Sequence, residues 1–157
     1  MGGTKPNTGN QWILFLCTGN YYRSRFAEAI FNHRAEQLGI GWRAFSRGLD
    51  LQPHVNFGPI SKYTREALAE RSIPIELTAK EPAALQRQDL IKAHHIIALK
   101  EAEHRPLMHA QFPDSVDSVE YWTVHDLDAA TAEEALPMIE KLVAQVLDDV
   151  LEKSNQV

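Results

Sequence analysis

The sequence predicts a three-layer α/β sandwich: a four-stranded parallel sheet with helices on both faces and an anion-binding loop after the first strand. Three observations lead there. The run Trp12-Ile13-Leu14-Phe15-Leu16-Cys17 is wholly apolar, as a strand covered on both faces must be. Short apolar runs then alternate with stretches whose apolar residues recur at helical spacing, the pattern of parallel sheets with crossover helices. Finally, the turn formers Gly19-Asn20 join the first run directly to a helical stripe.

Residues 1–11 hold three glycines, one proline and no apolar periodicity, so they read as a flexible lead-in, and residues 12–157 as one domain. The first strand covers 12–16. Over 24–38, Ala27, Ile30, Phe31, Arg34 and Leu38 fall near one stripe, and Gly39 offers a left-handed stop. Ile40, Trp42, Ala44 and Ser46 alternate with Gly41, Arg43 and Phe45, which predicts a second strand ending at Ser46-Arg47-Gly48. The stretch from Pro53 to Pro59 is loop. Ser61 caps a helix reaching about Arg71, with Tyr63, Ala67 and Leu68 inward, and Pro82 opens a short helical turn carrying Leu85. His94-His95-Ile96-Ile97-Ala98-Leu99 predicts a third buried strand, 101–111 a helix, and 116–122 a fourth strand. In the last helix Ile139, Leu142, Val143, Val146, Leu147, Val150 and Leu151 repeat at helical spacing. Thr131 with Glu134 resembles a capping box, and Pro137 predicts a kink or restart.

A chain of 157 residues with 44% hydrophobic and 24% charged content can bury one core without staples. Its net charge of -5 argues against a general nucleic-acid surface, which needs a basic face. No apolar run is long enough to span a bilayer and no basic-then-apolar leader is seen, so the expectation is a soluble cytoplasmic protein with no membrane partner. One cysteine excludes an internal disulfide, and a reducing compartment keeps that thiol free. Seven histidines invite a metal, yet His94-His95 abuts a buried strand and none is spaced as a ligand pair with Cys17. Neither metal nor cofactor is expected.

The chemistry concentrates at Cys17. A thiol is a nucleophile only as thiolate, which a helix N-terminus or a nearby cation favours, and both follow this residue directly. The five residues between Cys17 and Arg23 are enough to curl the backbone into a cup whose N–H groups face one anion. Gly19 and Asn20 tolerate the left-handed conformations such a curl demands. Arg23 presents a planar fork to two oxygens of a phosphate, a geometry lysine cannot reproduce, and Ser24 offers a hydroxyl to the sulfur. A buried, inert cysteine at a strand end is the ordinary alternative, but an Arg-Ser pair at this spacing is rarely fortuitous.

Cys17-Thr18-Gly19-Asn20-Tyr21-Tyr22-Arg23-Ser24 resembles the signature of the low-molecular-weight protein tyrosine phosphatases, Cys-x-Gly-Asn-x-Cys-Arg-Ser-Pro after the first strand. The likeness extends more loosely over 12–152. It implies a cysteine-dependent phosphatase in which Cys17 is the nucleophile, Asn20 shapes the loop, Arg23 clamps phosphate and Ser24 tunes the thiolate. The whole run Thr18, Gly19, Asn20, Tyr21, Tyr22, Arg23 and Ser24 would wrap the phosphate. Tyr22 stands where the family often has a second cysteine, and Arg25 where it usually has proline. Arg25 is expected either to add positive potential at the mouth or to lie on the helix surface.

The family takes its proton donor from an Asp-Pro after the fourth strand. Spacing from Trp122 puts Asp126 in that place, with Leu127 for the proline. The tyrosine pair that often follows the acid is missing, which leaves phosphotyrosine, arginine phosphate and small phosphomonoesters open as substrates. His125 is the next candidate donor, and Asp128 is expected to cap the following turn. Two other readings stand beside hydrolysis: a non-catalytic phosphate-binding module, and an arsenate reductase drawing on external thiols.

Overall fold

The computed structural model describes residues 10–155. β1 (Gln11–Cys17) lies between β2 (Trp42–Gly48) and β3 (His95–Ala98), with β4 (Glu120–Tyr121) outside β3, and every pairing is parallel. Parallel neighbours need crossovers, and helices supply them. α1 (Arg23–Leu38) joins β1 to β2; α2 (Lys62–Glu70) and α3 (Arg87–Lys92) lie between β2 and β3; α4 (Glu101–Gln111) precedes β4, and α5 (Ala132–Asn155) closes the chain. The expected lead-in, residues 1–11, falls outside the described residues except for its end, where Gln11 already pairs with Trp42.

Alternation along β1 builds the three layers. Ile13, Phe15 and Cys17 face one side, where α1, α2 and α5 bring Phe26, Phe31, Leu68, Ile139 and Val143. Leu14 and Leu16 face the other, against Leu85, Met108, Val116 and Val119. Residues 13–16 are wholly shielded from solvent, each side chain contributing about 1.5–3 kcal/mol by burial. The chain steps from β1 to β2 on one side and then crosses back to β3 on the other. The crevice at the carboxyl end of β1 is therefore the topological switch point, where sheets of this kind bind ligands.

Four expectations need correction. Tyr63 is exposed, and Thr64 takes the inward place beside Ala67 and Leu68. The fourth strand over 116–122 shrinks to Glu120–Tyr121, preceded by a 3-10 turn, Pro113–Ser118. Pro113 opens that turn, Asp114, Ser115, Asp117 and Ser118 favour it, and Val116 and Val119 reach the same core because residues three apart align there. Pro82 opens no helical turn. Gly48 N–H donates to Ala83 O and Leu85 N–H to Gly48 O, extending the end of β2, and the helix starts only at Gln86, where Asp89 closes a capping box. Pro137 does not restart the helix: α5 runs unbroken through it, with Pro137 exposed on the second turn and Leu136 and Ile139 buried. The Thr131–Glu134 capping box forms as expected.

Candidate active site

Cys17 ends β1 almost fully buried, with Sγ 2.9 Å from Ser24 Oγ. Asn20 takes the left-handed conformation at φ 51°, whereas Gly19 does not. The Asn20 amide fixes the curl by donating to Ser24 Oγ and Ser46 Oγ, both at 2.9 Å, and accepting from Ala83 N–H at 2.9 Å. Ser24 Oγ accepts from both the Asn20 amide and the Cys17 thiol, and once the thiol is ionised the hydroxyl proton can turn to the sulfur. Beneath this layer Ser46 and Thr78 hydroxyls donate to Glu28, whose carboxyl burial pushes up from its ordinary value. Gly48 is obligatory where β2 meets the loop: a Cβ there would lie 2.8 Å from Thr18 O and 3.0 Å from Asn20 Cβ.

The loop turns its carbonyls outward. Those of Cys17, Thr18, Tyr21 and Tyr22 accept from Leu49, Asp50, Ser61 and Phe26, and Thr64 also donates to Tyr22 O. The N–H groups of residues 18–25 have no backbone acceptor among the described residues, and no side chain caps the start of α1 at Tyr22. A run of donors without backbone acceptors, at a helix N-terminus and beside a cysteine, can receive an oxyanion.

Arg23 is buried beside this run. Its Nη1 donates to Val124 O at 2.9 Å and its Nη2 to Glu103 at 2.8 Å, with Asp126 Oδ2 3.5 Å from Nη2. Burial opposes the guanidinium charge, yet Cys17, Glu103 and Asp126 hold it above its ordinary pKa. Three buried side-chain atoms lack partners among the described residues: Arg23 Nε, Tyr22 Oη and His125 Nδ1. Two of them belong to the loop, and the third is on the neighbour of Asp126. Burial, with Asp126 adding, pushes the Tyr22 phenol up to about 12, so it stays a donor.

The cavity above Cys17 measures about 250 Å³ and is walled by Tyr21, Tyr22, Val55, Asn56, Asp126 and Leu127. Thr18, Gly19, Arg23 and Asp128 also line it, so the structure brings the predicted site residues together. Asn20 and Ser24 lie behind it as supports. Arg25 takes neither expected place. It is buried, donating to Thr78 Oγ1, Asn20 O, Pro59 O and Ala79 O, and so ties the loop to two flanking segments. Asp128 does not cap the next turn; Asp126 does, accepting from Leu127 N–H on Oδ1 and from Ala129 and Ala130 on its carbonyl. His94 accepts from Trp12 N–H and His95 meets Glu120, each a structural role. No group of described residues gathers metal ligands.

Sequence reasoning missed Glu103 and His104. The Thr18 hydroxyl donates to Glu103 Oε2, and His104, wholly buried, sits 3.1 Å from Thr18 Oγ1.

The model of the low-molecular-weight phosphotyrosine protein phosphatases matches residues 12–156. The chain belongs to this family. It is thus a cysteine-dependent phosphatase, and the binding-module and reductase readings are not favoured. A protein-arginine-phosphatase of Bacillus subtilis is 29% identical over 107 residues, covering 68% of this chain and 67% of its own. The crystal structure of a low-molecular-weight protein tyrosine phosphatase from T. tengcongensis is 26% identical with a TM-score of 0.71, covering 92% of this chain and 99% of its own. The Bacillus subtilis protein YfkJ, 23% identical, shares the fold at a TM-score of 0.80 over 92% of this chain and 97% of its own. No described helix is long and apolar enough to cross a membrane.

Proposed function

We propose that the phosphatase works in two steps on a phosphorylated protein side chain or small phosphomonoester, in a reducing compartment such as the cytoplasm. The Cys17 thiolate attacks phosphorus; the S–P bond forms as the P–O bond to the leaving alcohol or phenol breaks, and Asp126 gives that oxygen its proton. Water then attacks phosphocysteine, Asp126 takes a proton from it, and the S–P bond breaks to release phosphate and the thiolate. The observation that carries this reading is the run of N–H groups over 18–25, next to Cys17, that have no backbone acceptor among the described residues, with Arg23 Nε likewise without a partner there. Such donors stabilise equatorial charge in the transition state without reorganising. Ser24, holding its proton toward sulfur, stabilises the thiolate both as attacker and as leaving group.

Walls of Tyr21, Tyr22, Val55 and Leu127 suit the flat ring of phosphotyrosine. A second reading, arginine phosphate, is favoured by Asp126 and Asp128 at the mouth, whose carboxylates suit a guanidinium. Turnover of p-nitrophenyl phosphate by wild type but not Cys17→Ser, with vanadate still bound by the variant, tests the mechanism. Appreciable turnover by the serine variant would overturn the covalent route. The ratio of kcat/KM on phosphotyrosine and phosphoarginine peptides decides between the substrates.

A further inference from the structure

Arg23 and Glu103 are 80 residues apart in sequence, and the sheet order brings them together. β3 lies beside β1, so the first turn of α4 falls next to the loop that follows β1. There one carboxylate oxygen, Glu103 Oε2, accepts from Arg23 Nη2 at 2.8 Å and from the Thr18 hydroxyl. A single atom thereby ties the residue that follows Cys17 to the arginine that ends the loop.

His104 braces this clasp. Lys100 N–H donates to His104 Nδ1 at 3.0 Å, which fixes the tautomer with its proton on Nε2. That N–H faces Thr18 Oγ1 at 3.1 Å and Glu103 Oε2 at 3.2 Å. Burial disfavours the Glu103 charge, but His104, Arg23 and Thr18 outweigh it and hold the carboxyl well below its usual range. With Val124 O taking Nη1, the guanidinium is gripped at both Nη atoms, and Nε remains buried without a partner among the described residues.

We propose that Glu103 is a positioning residue for phosphoryl transfer: it sets the plane of Arg23 so that the Nε edge meets the phosphoryl oxygens, and through Thr18 it keeps the loop closed. The proposal rests on Arg23 being the phosphate clamp. A bidentate fork works only in one plane, and misplacement on the order of 1 Å costs up to about a hundredfold in rate.

The test is a double-mutant cycle on kcat/KM for p-nitrophenyl phosphate, with Tm measured for each variant. Glu103→Ala should lower kcat/KM roughly tenfold to a hundredfold, and should cause no further loss once Arg23 is already Ala. Glu103→Gln, which keeps an acceptor at the same reach, should restore most of the activity, whereas Glu103→Asp, one methylene shorter, should not. A carboxylate that only stabilises the fold would give penalties that add to those of Arg23→Ala, and that result overturns the proposal. Wild-type activity in Glu103→Ala does the same. Should Glu103→Ala fail to fold, the Gln and Asp variants decide, equal activities overturning it. Arg23→Ala measured alone separates the two readings: wild-type turnover there would remove Arg23 as the clamp, and Glu103 with it.

Discussion

At the scale of single residues, Asp126 illustrates how reach and role separate. Its Oδ2 lies 3.5 Å from Arg23 Nη2 while Oδ1 accepts from Leu127 N–H, so the carboxylate is held at the rim with one oxygen free of the turn. A positioned acid contributes roughly a hundredfold or more only where the leaving group needs a proton. Asp126→Asn is therefore expected to lower kcat/KM far more for alkyl phosphates and phenyl phosphate than for p-nitrophenyl phosphate. If Asp128→Asn or His125→Ala gives that selectivity instead, the acid is misassigned. Tyr22 carries a second consequence. Its ring packs against Tyr63 with centroids 6.4 Å apart, and the chain has no other cysteine to condense with an oxidised Cys17. A sulfenic acid here has no protein thiol to rescue it, so peroxide should inactivate the enzyme, bound phosphate should slow the loss, and recovery should need prompt external thiol. Mass spectrometry beside activity regained with dithiothreitol checks this. Full recovery after long exposure, with no thiol present during oxidation, would count against it.

Among elements, legibility followed how strongly each segment's own pattern decides its conformation. β1, β3 and α5 were readable because their apolar runs and stripes are long and uninterrupted. The loop was readable because Cys17, Asn20, Arg23 and Ser24 are local in sequence and each is chemically restricted. β4 was not: two residues carry no pattern, and the short apolar run around Val116 and Val119 hides that residues three apart share a face in a 3-10 turn but not in a strand. Glu103 was hidden for another reason, since its contact depends on β3 pairing with β1, which no local pattern encodes. Gly48 belongs to the same class, a strand end fitted to a loop 28 residues earlier at Asn20. A Cβ there meets Leu51 Cδ2, the end of a side chain that can turn aside, and then Thr18 O and Asn20 Cβ, whose backbone cannot, so Gly48→Ala should displace the loop. Overpacking of this kind costs about 1–3 kcal/mol. The expected outcome is a Tm lowered by several degrees together with weaker vanadate inhibition. An unchanged inhibition constant would show that the loop does not depend on this approach.

For the whole molecule, the buried polar layer makes stability depend on pH in a direction that can be worked out. His104 is wholly buried, and burial, with the Arg23 charge adding to it, lowers its pKa against the opposing pull of Glu103. The unfolded histidine titrates near 6.5, so below that pH the unfolded chain binds a proton that the native state refuses. The contribution of neutral His104 is thus complete above about pH 6.5 and is lost as pH falls toward the depressed native value. Geometry agrees with the sign: a proton on Nδ1 would oppose the Lys100 N–H that now donates to it, unclasping the brace behind Thr18 and Glu103. Glu103, whose pKa is also depressed, adds its loss in more acidic solution, from the ordinary carboxylate range downward, so its window lies below that of His104. Thermal melting of wild type between about pH 7.5 and 5 should therefore show a Tm that declines with acid. His104→Gln, which retains an acceptor for Lys100 N–H and a donor toward Thr18 but cannot titrate, should flatten the decline over that interval. Parallel Tm curves for the two proteins would locate the acid sensitivity elsewhere.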